Sequence, residues 1–310
     1  MSNIVEVKHL SHRYFTQWAI RDINFEISGQ GVYGLLGSNG AGKSTTMNII
    51  CGVLNQTEGE VLINGVNSRQ DPISAKQTLG FLPQKPPLYL DLTVEEYLTH
   101  CAILRRMESK TIKKAVAEVE ERCRIAHFAK RLLRNLSGGY QQRVGIAQAI
   151  IHNPALVVFD EPTNGLDPVQ ILEIRKLINE IAQDRAVLLS THILQEVQAT
   201  CEHIFMIERG NMVFHGTLEE FDNQVQPDSV LVETGHPVDM EQLKALPGQK
   251  RITQQGDCRY RISYTDKDAL CRAVIAQSVA QNWDLKELTP ERQSLDVVFA
   301  KLSGKTLEEV

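Results

Sequence analysis

The nine residues Gly37-Ser38-Asn39-Gly40-Ala41-Gly42-Lys43-Ser44-Thr45 constrain this chain more than any other stretch. Through Gly37, Gly42, Lys43 and Ser44 they satisfy G-x-x-x-x-G-K-[ST], a loop that wraps phosphate groups in backbone N–H donors. A triphosphate carries several negative charges, and glycines at 37, 40 and 42 keep side chains out of its approach. The apolar run Val32-Tyr33-Gly34-Leu35-Leu36 ahead of the loop reads as a buried strand, and residues 45–50 continue as a helix. Strand, glycine loop and helix in that order commit the chain to an α/β fold. The helix N-terminus, opening near Lys43, faces the bound phosphates. Lys43 then reaches the β/γ oxygens, and the Ser44 hydroxyl takes one place in a Mg²⁺ shell.

Two further runs, Leu156-Val157-Val158-Phe159 and Ala186-Val187-Leu188-Leu189-Ser190, are apolar without alternation, as parallel strands buried on both faces must be. A helix over Ile171 to Ala182 joins them, which predicts a right-handed βαβ unit. Asp160 and Glu161 follow the first of these strands, at the edge where open α/β sheets bind ligands. Asp160 there holds Mg²⁺, and Glu161 polarises an attacking water. Taken alone, the pair reads more readily as an Asp-Glu-Pro turn that opens a helix; the phosphate loop gives it a function. Leu136-Ser137-Gly138-Gly139-Tyr140 precedes an amphipathic helix, Val144 to Ile151. Ser137 as N-cap and two glycines make a second helix start suited to an anion.

Bulk properties exclude several alternatives. A net charge of −5 argues against a chain built to coat nucleic acid. No apolar run approaches the length of a membrane span, and the N-terminus carries no basic-then-apolar signal. Six scattered cysteines without a C-x-x-C pair suit reduced thiols in a cytosol rather than a disulfide scaffold or metal site.

The N-terminal part reads as strands at Ile4–Val7, Ala19–Ile27 and Gly59–Gly65, followed by helical periodicity from Val94 to about His152, with Lys110–Ile125 strongly amphipathic. A polar stretch, Asp222 to Asp228, separates a domain over 1–225, containing a helical subdomain at about 85–155, from a small α+β domain over 226–310. In that second domain, strands at Val230–Val232 and Tyr260–Ile262 alternate with helices at Lys267–Gln281 and Ser294–Leu302.

From residue 3 to about 220 the chain resembles the ATP-binding subunits of ABC transporters. The nucleotide loop at 37–45, the signature at 136–140 and the acidic motif at 156–161 occur in the family's order. The resemblance implies a P-loop ATPase fold with an antiparallel β subdomain and a helical subdomain. Residue by residue, it places Gln84 as the glutamine linking the Mg²⁺ site to the membrane subunit, beside Ser44 and Asp160 as metal ligands. His192 matches the switch histidine, Tyr14 the aromatic that stacks on adenine, and Gly165-Leu166-Asp167-Pro168 the dimer-contact loop. Gly37, Ser38, Asn39, Gly40, Ala41, Gly42, Lys43, Ser44 and Thr45 cradle ATP. Ser137 and Gly139 of a second copy close over it head to tail. Tyr140 departs from the usual glutamine of the signature, a change with which activity is expected to survive.

The implied activity is ATP hydrolysis with Mg²⁺, using Glu161, His192, Lys43 and Gln84, coupled to transport through an integral membrane permease. That partner would hold the chain on the cytoplasmic face of the membrane, near a groove around Lys85-Pro86-Pro87-Leu88-Tyr89. The stretch Leu288–Phe299 resembles the tail of bacterial exporter ATPases of the drug, lipid, polysaccharide and gliding-motility type. No nucleic-acid partner is expected. The competing expectation is a soluble ABC ATPase that acts on nucleic acid or ribosomes. The short interval between the nucleotide loop and the signature, and the single cassette, count against it.

Overall fold

A computed structural model describes residues 3–223 and 229–291. They divide into two compact units that meet at Leu218–Glu219. This division comes ahead of residue 225, the boundary expected from the polar stretch. The last strand hydrogen-bonded into the first unit's central sheet already ends at Thr217.

In the first unit, β1 (Val5–Tyr14) and β2 (Gln17–Ile27) form a long antiparallel hairpin. β3 (Gly31–Leu36) leads into α1 (Lys43–Ile50). β4 (Glu58–Ile63) and β5 (Val66–Asn67) complete an antiparallel sheet of order β2-β1-β4-β5. α2 (Pro72–Gln77) precedes β6 (Leu79–Leu82), and a helical stretch follows: α3 (Val94–Leu104), α4 (Ser109–Arg122) and α5 (Gly138–Ile150). The remainder runs β7 (Leu156–Asp160), α6 (Pro168–Ala182), β8 (Ala186–Thr191), α7 (Leu194–Thr200), β9 (His203–Glu208) and β10 (Asn211–Thr217); α8 (Leu218–Asn223) begins at the division between the units.

The central sheet has the order β10-β9-β3-β8-β7-β6. Its strands run parallel except β10, which returns on β9 through the turn at Arg209-Gly210. Every residue of β3, β7 and β8 is buried, because both faces are covered. On one face Tyr33, Leu35, Val158 and Leu188 pack with Met47 and Ile50 of α1 and with Val7, Ile23 and Val61 of the antiparallel sheet. On the other, Gly34 lies so close to α7 that an added Cβ would sit 2.8 Å from Cys201 Sγ. Each large apolar side chain buried here contributes about 1.5–3 kcal/mol.

In the helical stretch, α3 opens on a capping box in which Thr93 and Glu96 bond each other's backbone N–H. α4 buries Ile112, Val116 and Val119, the spacing of one helical face. α5 differs from its expected form: it begins at Gly138, well ahead of Val144, and is buried almost all round rather than amphipathic. Its polar residues Gln142 and Arg143 are buried with partners of their own, so polarity in the sequence did not mark a solvent face.

The second unit comprises β11 (Ser229–Thr234), α9 (Met240–Lys244), β12 (Gln249–Gly256), β13 (Arg259–Tyr264), α10 (Lys267–Gln281) and β14 (Leu285–Glu291). The sheet is antiparallel throughout, with order β12-β13-β11-β14, so this is a β-α-β-β-α-β ferredoxin-like unit. Val230, Val232, Tyr260, Ile262, Leu270, Val274 and Trp283 form its core. The helix expected over 294–302 and most of the tail to Phe299 lie outside the described residues; of the polar stretch expected over 222–228, Asp222 and Asn223 end α8 and 224–228 lie outside the described residues.

Candidate functional site

Five parallel strands end at the same edge of the central sheet, and each delivers one part of the site. The loop after β3 carries residues 37–45, and Gln84 lies two residues beyond β6. Asp160 ends β7 and Glu161 follows it, Thr191 ends β8 and His192 follows it, and Glu208 ends β9.

The glycine loop does not owe all its glycines to the phosphate approach expected of them. A Cβ on Gly37 would stand 2.2 Å from the Ile207 carbonyl oxygen, and one on Gly42 would stand 2.5 Å from Ile20 Cγ2. The protein's own packing excludes side chains at both. Gly40 has open space, and there the backbone, at φ +81°, demands glycine. Lys43 is 5% exposed, and its Nζ donates to the carbonyls of Gly37 (2.9 Å) and Ser38 (3.1 Å), holding the loop in a crown. Burial pulls the Lys43 ammonium below its ordinary range, while Glu161, Asp160 and Glu208 act to restore it. Ser38 ties the loop to the next strand: its Oγ donates to Glu208 Oε2 at 2.7 Å, and its N–H donates to the same oxygen at 3.3 Å.

Asp160 Oδ1 accepts from Ser44 Oγ at 3.3 Å and from Ser190 Oγ at 2.5 Å. Ser190 in turn accepts the Glu161 N–H at 2.9 Å. Glu161 adopts φ +47°, a left-handed conformation uncommon for a non-glycine residue. Its carboxylate gathers three partners: Gln84 Nε2 (2.8 Å) and Asn164 Nδ2 (3.2 Å) donate to Oε2, and His192 Nδ1 lies 3.0 Å from Oε1. Residues distant in the chain thus converge on one oxygen pair.

A cavity of about 530 Å³ is lined by Asn39, Gly40, Gly42, Lys43, Ser44, Thr45, Gln84, Glu161, Asn164 and His192, with Ala19 at its edge. Ala19 and Gly40 also line a neighbouring cavity of about 460 Å³, together with Tyr14, Gln17, Trp18 and Arg209. The first offers Lys43 and polar groups around a volume suited to a triphosphate; the second offers aromatic faces for a base. Ala41 is buried under the loop, and its carbonyl accepts the Gly210 N–H. Ser137 and Gly139 do not line either cavity. Ser137 occupies the N-cap position of α5 and is exposed, but its side chain makes no capping bond, contrary to expectation. Gly139 is buried against the Gln170 side chain. Tyr140 turns to an aromatic cluster, edge-on to Phe128 (4.6 Å) and His127 (5.9 Å).

Sequence reading missed Asn164, Ser190, Glu208, Trp18 and Arg209. Glu208 is the last residue and Ser190 the last but one of strands that run parallel to β3, so inspecting the final two residues of every buried strand would have found both. Trp18 and Arg209 had no such signal.

Comparison with known proteins agrees with this arrangement. The family described as ABC transporter matches residues 20–164. Over 215 residues the chain is 35% identical to the bacitracin transport ATP-binding protein BcrA of Bacillus licheniformis, covering 69% of each protein. The chain belongs to the ABC transporter family. It is an ATP-binding, ATP-hydrolysing subunit of that family. The likeness extends through both units: the Nod factor export ATP-binding protein I of Rhizobium johnstonii is 28% identical over 98% of this chain and 96% of its own length. A solved ATP-binding subunit of an ABC transporter superimposes with a TM-score of 0.65 at 31% identity, covering 71% of this chain and 92% of that one. Among the described residues, no helix is long and apolar enough to cross a membrane.

Proposed function

We propose that this ATPase works as a head-to-tail pair of copies that powers the export of a substrate through a separate membrane permease, with Glu161 activating the attacking water. The observation that carries the reading is the setting of the Glu161 carboxylate, beside the Lys43 cavity and aligned by Gln84, Asn164 and His192. A base with both oxygens held in place can receive a proton from a water directed at the γ-phosphate. Lys43 and the loop N–H groups would draw the charge that spreads over the phosphoryl oxygens, with His192 fixing the γ-phosphate. Tyr14 would stack on adenine.

The donor set fits Mg²⁺. Ser44 Oγ and Asp160 Oδ1 are hard oxygen ligands close enough to share one ion. Gln84 commits its amide nitrogen to Glu161, leaving its oxygen as the third. Among the described residues no group of three carboxylate, histidine or cysteine side chains forms a dedicated metal cage. A single carboxylate suits Mg²⁺, which usually takes the rest of its shell from phosphates and water. When bound there, Mg²⁺ supplies Lewis-acid neutralisation of the β- and γ-phosphate charge.

Because Ser137 and Gly139 lie off the cavity, a second copy is the means by which they would reach nucleotide, from the face opposite Lys43. The permease would dock beside the region following Gln84. There Leu88, Tyr89, Leu90, Leu92 and His100 line a cavity of about 680 Å³, and Tyr89 and Leu90 are exposed. Docked in this way, the chain would sit on the cytoplasmic face of a membrane. Export is supported by the likeness to the Nod factor export ATP-binding protein of Rhizobium johnstonii. The test is Glu161→Gln. Turnover should fall by roughly 10²-fold or more while ATP is still bound. Unchanged turnover would remove Glu161 from this role.

A further inference from the structure

Glu196 is 4% exposed, far from the usual station of a glutamate. A buried carboxylate is costly unless its oxygens are paired. Here the partners come from the two loops that carry the site. Thr163 Oγ1 donates to Glu196 Oε1 at 2.5 Å, and Thr191 Oγ1 donates to Oε2 at 2.7 Å. Arg175 Nη2 lies 3.7 Å from Oε1. Thr163 follows Glu161 by two residues and immediately precedes Asn164, which donates to Glu161. Thr191 immediately precedes His192, and its hydroxyl also accepts the Ile193 N–H at 3.0 Å, folding the turn around the histidine.

We propose that Glu196 is a positioning residue for ATP hydrolysis, clamping the Glu161 loop and the His192 loop to each other through Thr163 and Thr191. The inference rests on the reading of Glu161 and His192 given above. The two loops leave adjacent strands, β7 and β8, whose pairing ends at Asp160 opposite Ser190. Beyond that pair no ladder bond holds the loops in register, and the Glu196 carboxylate takes over. An apolar residue would fill the space, but it would accept neither hydroxyl. The Glu161–His192 contact would then be free to open, and a shift of about 1 Å at such a contact can cost up to 10²-fold in rate.

The test is steady-state ATPase kinetics of the full chain carrying Glu196→Gln, alone and combined with His192→Ala, with ATP affinity measured in parallel. Glutamine keeps one acceptor and loses the other. We expect kcat to fall roughly 10-fold to 10²-fold, with KM and ATP affinity within about twofold of wild type. In the His192→Ala background the same substitution should cost little more, because the contact it protects is already gone. Thr163→Val, which deletes one hydroxyl only, should move kcat in the same direction by less and serves if the glutamine variant does not fold. An unchanged kcat in folded Glu196→Gln or Thr163→Val, an equal loss with and without His192, or a matching loss of ATP affinity would overturn the proposal. Normal turnover in Glu161→Gln would sink the site reading and this inference with it. Loss there, beside normal turnover in Glu196→Gln, would overturn the inference alone.

Discussion

Gln142 Nε2 donates to the Pro162 carbonyl at 2.7 Å, and both groups are buried. One bond thereby joins the helix that presents Ser137 and Gly139 to the residue that follows Glu161. A change at this helix has a direct route to the Glu161 loop. Gln142→Leu keeps the volume and removes the donor, leaving a buried carbonyl unpaired at a cost of about 1–3 kcal/mol. Thermal unfolding should show a midpoint lowered by roughly 2–4 °C for each kcal/mol lost. An unchanged midpoint would mean that the bond contributes nothing net.

The glycines of the nucleotide loop should differ sharply in what they tolerate. Gly37→Ala drives a Cβ into the Ile207 carbonyl, an immovable backbone atom of β9. Overpacking of this kind costs at least about 1–3 kcal/mol and displaces the loop. Gly40→Ala meets open space and bears only its left-handed backbone, about 1–2 kcal/mol. Urea titration of the two variants should rank Gly37→Ala as the less stable; the reverse order would refute the packing argument.

Ser190 links Asp160 to Glu161, the proposed metal ligand and base, because its one hydroxyl donates to Asp160 and accepts from the Glu161 N–H. Ser190→Ala should raise the Mg²⁺ concentration needed for half-maximal turnover and lower kcat roughly 10-fold. Glu161 would also lose the acceptor that fixes its left-handed backbone. A Mg²⁺ titration superimposable on wild type would show that Asp160 is held by other contacts.

His152 predicts a loss of stability in mild acid. Burial, followed by the neighbouring Arg105, lowers its pKa from 6.5 to about 4. Its Nε2 donates to the Leu79 carbonyl at 3.1 Å, while Nδ1 is buried without a partner. Above pH 6.5 both folded and unfolded states hold it neutral, and it contributes nothing. Between about 6.5 and 4 the unfolded chain binds a proton that the folded chain refuses, so stability falls as pH falls, by up to about 3 kcal/mol. His152→Leu should flatten that slope. Arg105 Nη1 also donates to the Leu79 carbonyl, so the substitution does not orphan it. Unfolding free energies measured from pH 7 to 4 would decide; equal slopes in both proteins would exclude His152 as the cause.

The sequence by itself determined the parts that depend on local pattern. Unbroken apolar runs named β3, β7 and β8, and the glycine loop, Asp160 and Glu161 were legible because strand ends and phosphate loops have short-range signatures. The strands at 230–232 and 260–262 and the helix at 267–281 were also legible. Tertiary structure decided the rest, since it depended on which strands became neighbours. β9 carries the apolar run Ile204-Phe205-Met206-Ile207, but only its place beside β3 brings Glu208 to Ser38, and the turn toward β10 brings Arg209 to the cavity that Tyr14 lines. The burial of α5 and the choice of glycine at 37 and 42 likewise answer to atoms far along the chain. Glu196 and Gln142 looked like ordinary polar residues on helices. Their meaning came from desolvation: once buried, each had to find a partner, and the partners it found were the loops around Glu161.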